Sequence, residues 1–171
     1  MALVPQVVDA VSPIPVVAAG GIFDGRGIAA AFMLGAVGVN LGTRFLASEE
    51  APIANEWKQA ITGAQSEDAV KVDVFNDIQP LPGTGGYGTV MRSLHTPFMD
   101  EWSSKRDEAR QERERLRAEI SARAKAGRRH ETVLGAGQTA GGIKKVLSVA
   151  EIMRQLIAET EEALSRAPKL S

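Results

Sequence analysis

Hydrophobic positions along the chain change period several times, and each change predicts an element. In residues 3–11, Val4, Val7, Val8 and Val11 share one helical stripe. Ser12-Pro13 and Pro15 break that helix. Val16, Val17, Ala18 and Ala19 then form a continuous apolar run, which predicts a parallel strand covered on both faces. Gly20-Gly21 closes the run. Asp24 offers an N-cap, and Ile28, Phe32 and Met33 place apolar groups on one helical face. Gly35 stands where a helix C-terminal glycine belongs, and residues 37–41 begin a second buried strand ending at Gly42-Thr43. Residues 14–48 therefore read as strand, glycine turn, helix, strand, glycine turn.

The pattern is weaker downstream. Ser48 can cap a helix running to about Ile61, with Ile53, Trp57, Ala60 and Ile61 as its stripe, Pro52 in its first turn and Gly63 at its end. Val70, Val72 and Val74 alternate with Lys71 and Asp73, which predicts a short half-exposed strand. Residues 76–88 are rich in Pro and Gly and read as a loop. Residues 100–126 read as one strongly charged helix, followed by a glycine-dense turn over residues 135–142. Ser148-Val149-Ala150-Glu151 is a capping box. The helix it opens carries a stripe of Val149, Ile152, Met153, Leu156, Thr160, Ala163 and Leu164, and Pro168 ends it.

Composition narrows the chemistry. The 171 residues contain no cysteine, so disulfides, thiolate catalysis and cysteine-held metals are excluded. His95 and His130 lack metal-ligand spacing. A net charge of −1 gives no bulk argument for nucleic acid or a membrane surface. Between Lys105 and Glu131, ten basic residues are diluted by six acidic ones without aromatic interleaving, the mark of a solvated helix rather than a nucleic-acid arm. No signal peptide or spanning segment is evident, so a soluble, cytoplasmic protein is expected.

Two stretches carry candidate chemistry, and one of them is a decoy. Gly83-Thr84-Gly85-Gly86-Tyr87-Gly88 satisfies G-x-G-x-x-G, but Pro80-Leu81-Pro82 precedes it and no capped helix follows until near Pro97. Without strand and helix the pattern cannot aim amides at a pyrophosphate, so it reads as a surface turn. The turns at Gly20-Gly21 and Gly42-Thr43 differ. Each follows one of two neighbouring parallel strands, so their backbone N–H groups converge where barrels bind phosphate.

The segment resembles the nitronate monooxygenase family, formerly called 2-nitropropane dioxygenases, which are FMN-dependent (β/α)8 barrels. The resemblance rests on three blocks in order: residues 15–22 (PVVAAGGI), 24–27 (DGRG) and 40–47 (NLGTRFLA). It continues through residues 96–102 (TPFMDEW) and 137–141 (GQTAG). The fold it implies is α/β: the C-terminal portion of an FMN-binding TIM barrel, incomplete with about two barrel strands, followed by a mostly helical C-terminal region. Residues 1–75 would form the partial barrel, 76–99 a Pro/Gly-rich loop, and 100–171 helices packing on it.

By that resemblance FMN is the cofactor, and Gly20, Gly21, Asn40, Leu41, Gly42 and Thr43 bind it. Gln138 belongs to a loop near the flavin pocket. The reaction implied is oxidation of alkyl nitronates with molecular oxygen, with a small nitronate as substrate and no nucleic-acid or membrane partner. The family's proton-abstracting histidine lies upstream of the matched region, and neither His95 nor His130 fits its motif. No catalytic residue and no metal ligand is assigned, and the chain alone is expected to be inactive. Uncovered barrel strands would favour self-association. Two alternatives share the phosphate turns: a flavin-dependent enoyl-acyl-carrier-protein reductase, and a non-catalytic phosphate-binding or interaction module.

Overall fold

A computed structural model describes residues 2–80 and 90–166. In chain order the helices and strands are α1 (Leu3–Val11), β1 (Val17–Ala19), α2 (Gly25–Met33), β2 (Gly38–Asn40), α3 (Thr43–Leu46), α4 (Asn55–Gly63), β3 (Val70–Lys71) and α5 (Asp73–Ile78). They continue as β4 (Arg92–Leu94), α6 (Pro97–Ser103), α7 (Arg106–Gln111), α8 (Arg113–Lys125), β5 (Leu134–Gly135) and α9 (Val149–Ser165). Contacts group the chain into two units, residues 1–51 with 145–171, and residues 52–144. The G-x-G-x-x-G decoy and Pro168 lie outside the described residues.

In the first unit, β1 and β2 pair in parallel, Val17 with Gly38, Ala18 with Val39 and Ala19 with Asn40. The α2 crossover between them is short because both its ends are specified locally. Asp24 caps its N-terminus by accepting the Gly27 N–H at 3.0 Å. Gly35, at φ +93°, takes the left-handed conformation that ends it. The final helix α9 packs on α2, burying Ile152 and Leu156 against Ile28. The two backbones approach so closely that a Cβ on Gly25 would overlap Glu159 and Thr160. Ser48 and Leu147 form a parallel bridge that ties α9's entry to the end of α3.

The cover over these strands is thinner than the apolar run implies. Only Ala18 of β1 is buried, packed with Ala31 and Ala36, while Val17 is 58% exposed. The α1–α2 side supplies apolar cover to the Ala18 face. On α2 the buried residues are Gly25, Ile28, Ala29 and Ala31, with Phe32 and Met33 turned out. On α9 the buried stripe narrows to Ile152, Leu156 and Thr160, leaving Met153 and Leu164 exposed.

The second unit is built on a three-stranded antiparallel sheet, β3-β4-β5, with α4 to α8. Its core joins Val72, Val74 and Ile78 to Phe98, Met99, Trp102, Ala109, Leu116, Ile120 and Val133. Four sequence expectations fail around this unit. Ser48 does not cap α4; it is 2% exposed in the bridge to Leu147, and the helix starts at Asn55. Pairing with distant Leu147 claimed the residue that local capping would have used.

The alternating valines yield a strand of only Val70–Lys71, because Asp73–Ile78 turns into α5. Val74 and Ile78 then lie one helical turn apart on its buried face. That helix also removes residues 76–78 from the expected loop. The single charged helix is three helices, α6, α7 and α8. A straight helix over residues 97–125 would be roughly 40 Å long, whereas six-residue α5 spans only about 9 Å. Breaks after Ser103 and at Glu112 let α6, α7 and α8 all pack around α5.

Candidate functional site

The site predicted from the sequence lies at the carboxyl ends of β1 and β2. Because Ala19 pairs with Asn40, the residues that follow them leave the sheet side by side. Gly20 and Gly21 have φ of +86° and +75°, a region that only glycine enters freely, and both are exposed. No atom lies within 4 Å of where their Cβ atoms would stand. Their glycine identity is thus required by the turn itself and leaves clear space in front of the strand end.

Gly42 differs. Its φ is −89°, open to any residue, and it also has nothing within 4 Å of a Cβ position. It precedes Thr43 at the start of α3. Asn40 is exposed at the end of β2. Leu41 turns its side chain into the cluster of Ile28, Ile152 and Leu156, so its backbone is what it can offer a ligand. Gln138 stands exposed in a 3₁₀ segment of the other unit.

The electrostatics around the turns are mixed. The first amides of α2 already have anionic partners: Gly27 donates to Asp24, and Gly25 donates to a Glu159 carboxylate oxygen at 2.9 Å. Asp24 in turn pairs with exposed Arg26, whose guanidinium pKa is raised by that hydrogen bond. Arg44, beside Thr43, is a buried cation that pattern reading passed over because arginines are usually exposed. Its Nη1 donates to the Lys145 carbonyl at 3.2 Å, but buried Nη2 has no hydrogen-bond partner among the described residues. Desolvation lowers its pKa, with a partly opposing contribution from Glu159.

Neither histidine is in the unit that carries these turns. His95 Nδ1 lies 2.7 Å from Asp100 at the start of α6. Buried His130 Nδ1 has no partner among the described residues. Among the described residues no group of three or more His, Cys, Asp or Glu side chains could hold a metal ion. No helix among them is long and apolar enough to cross a membrane.

The sequence pattern of the family described as nitronate monooxygenase matches residues 1–159, nearly the whole chain. The chain belongs to the nitronate monooxygenase family. It is 53% identical over 76 residues to a probable nitronate monooxygenase of Staphylococcus haemolyticus (strain JCSC1435), a match covering 44% of this chain and 21% of that protein. With a probable nitronate monooxygenase of Staphylococcus aureus (strain JH9) it shares 40% over 103 residues, 60% of this chain and 26% of the relative.

Solved structures are similar over more of the chain. FabK from Thermotoga maritima superposes with a TM-score of 0.78 and 33% identity, covering 96% of this chain and 49% of that one. The nitroalkane oxidase from Streptomyces ansochromogenes gives 0.75 and 32%, covering 98% and 45%. The matches thus span about a quarter of the curated relatives and about half of the solved ones. The α/β arrangement is that half; no closed barrel forms among the described residues.

Proposed function

We propose that the ends of β1 and β2 cradle the phosphate of FMN, and that the chain contributes this cradle to a flavin-dependent oxidation of alkyl nitronates by oxygen. The carrying observation is the parallel register that sets Gly20-Gly21 beside Gly42-Thr43. Amides in those turns would donate to phosphate oxygens, and the Thr43 hydroxyl is a further donor. The first amides of α2 are left out, because Asp24 and Glu159 already occupy them. Arg44, a buried cation with an unused donor next to Thr43, fits an anion at this end of the sheet.

Asn40, exposed at the strand end, would meet the part of the cofactor beyond the phosphate. When bound, the flavin supplies the redox chemistry; this chain's residues hold and orient it. Proton abstraction next to the nitro group needs a base, and the unit bearing the cradle contains no histidine. A chain of residues 1–171 therefore binds without turning over substrate. Likeness to FabK is as close as likeness to the nitroalkane oxidase. Flavin phosphate therefore stands first and nitronate second, with an enoyl-acyl-carrier-protein reductase as the competing use of the same cradle.

The test is titration of the purified chain with FMN, followed by quenching of flavin fluorescence, with riboflavin as the phosphate-free control. Saturable binding of FMN and not of riboflavin is expected. Equal affinity for both, or none for either, would remove the cradle.

A further inference from the structure

The first unit runs from a strand through a glycine turn into a helix and then a second parallel strand: β1, Gly20-Gly21, α2 and β2. In that order a helix N-terminus can meet a pyrophosphate, because its first amides lack intrahelical acceptors and its dipole favours negative charge. In this chain two of those amides are already taken. Asp24 Oδ1 accepts the Gly27 N–H at 3.0 Å, and Glu159 Oε2 accepts the Gly25 N–H at 2.9 Å. The first bond is an ordinary N-cap. The second is not local, since Glu159 comes from α9, 134 residues away.

The packing holds Glu159 in that place. A Cβ on Gly25 would overlap the Cβ of Glu159 and the backbone at Thr160, so only glycine lets α9 cross this close to the start of α2. Ile28, Ile152 and Leu156, all buried, fix the crossing one turn further on. The two carboxylates differ in charge balance. Asp24 is paired with Arg26, whereas Glu159 is bonded to an uncharged amide. The field of Glu159 extends to both neighbouring cations. It adds to the rise in the Arg26 pKa that the hydrogen bond and charge of Asp24 produce, and it opposes the lowering of the Arg44 pKa by desolvation.

We propose that Glu159 is a specificity-determining residue that admits a flavin ending in one phosphate and rejects one whose phosphate continues into a second phosphoryl group. The inference rests on the phosphate cradle proposed above and adds what that cradle refuses. A terminal phosphate carries a charge of about −2 near neutral pH and can be held by the turns at Gly20-Gly21 and Gly42-Thr43 without any amide of α2. A diphosphate spreads its charge over two groups, and the second needs donors of its own. The next helix-start amides in the chain are those of α2. Displacing Glu159 would break its bond to Gly25, and leaving it there sets like charges side by side. FMN is a flavin of the first kind and FAD of the second.

Calorimetric titration of residues 1–171 with FMN, FAD and riboflavin at low salt tests this. FMN should bind at least about tenfold more tightly than FAD. Glu159→Gln keeps an acceptor for Gly25 and removes the charge, so FAD should come within about threefold of FMN. Thermal melting establishes that the variant folds. Equal affinity of the parent chain for FMN and FAD overturns the inference. So does a Glu159→Gln chain that keeps the parent's preference, or one in which both affinities rise together. FMN bound no better than riboflavin is a separate result: it removes the cradle itself, and the selectivity with it.

Discussion

A Glu159 carboxylate oxygen accepts the backbone N–H of Gly25 at 2.9 Å, joining positions 134 residues apart. The bond lies where α9 crosses the first turn of α2, and it satisfies an amide that would otherwise have no intrahelical acceptor. Glu159→Ala should lower stability by about 1 kcal/mol through loss of this charge-assisted bond. Gly25→Val should cost more, on the order of 3 kcal/mol, because its side chain overlaps the α9 backbone. Urea unfolding of the two variants measures both, and a Gly25→Val chain as stable as the parent would contradict the packing.

The two glycine turns should respond differently to substitution. Gly21→Val forces a branched side chain to φ +75°, costing roughly 1–3 kcal/mol whether or not a ligand is present. Gly42→Ala meets neither strain nor a neighbour, so its stability should stay within about 0.5 kcal/mol of the parent. If phosphate approaches this backbone, Gly42→Ala nevertheless weakens FMN binding. Thermal melts set beside flavin titrations read the two effects separately.

Asp77 makes a pH dependence. Burial would raise its pKa, but hydrogen bonds from Arg106 at 2.6 Å and Arg110 at 3.0 Å outweigh that and hold it below the ordinary carboxylate value. A depressed folded-state pKa contributes stability that is present above the unfolded pKa near 4 and fades as pH falls through the folded one. The second unit should therefore lose stability below about pH 4. Asp77→Asn should be less stable at neutral pH by about 1 kcal/mol and should show a flatter acid profile. An unchanged profile in that variant would assign the acid sensitivity to other carboxylates.

Nitronate turnover is the last expectation. With saturating FMN and propyl nitronate, residues 1–171 should consume no oxygen above the protein-free blank. General-base help is typically worth about 10²-fold or more, and the unit that bears the cradle contains no histidine. Flavin-dependent consumption above the blank would mean that another residue of this chain serves as the base.

What local sequence determined was whatever short-range chemistry decides. Asp24 and Ser148 accept amides three residues on, and their helices begin where those caps predict. Gly20, Gly21 and Gly35 take positive φ where turns were read, and β1 and β2 lie as parallel neighbours. The candidate turns were legible for the same reason, since each is specified within a few residues.

Tertiary structure decided the rest. No local pattern marked β4 or β5, and these strands exist because distant partners complete their hydrogen bonds. Ser48 was taken from its cap by Leu147, and the charged helix was broken so that three pieces could pack around α5. Which apolar stripes are buried was also decided there. The pattern marks Ile152 and Met153, or Ile28 and Met33, as equally apolar. Only the crossing of α9 over α2 buries the first of each pair and leaves the second in solvent.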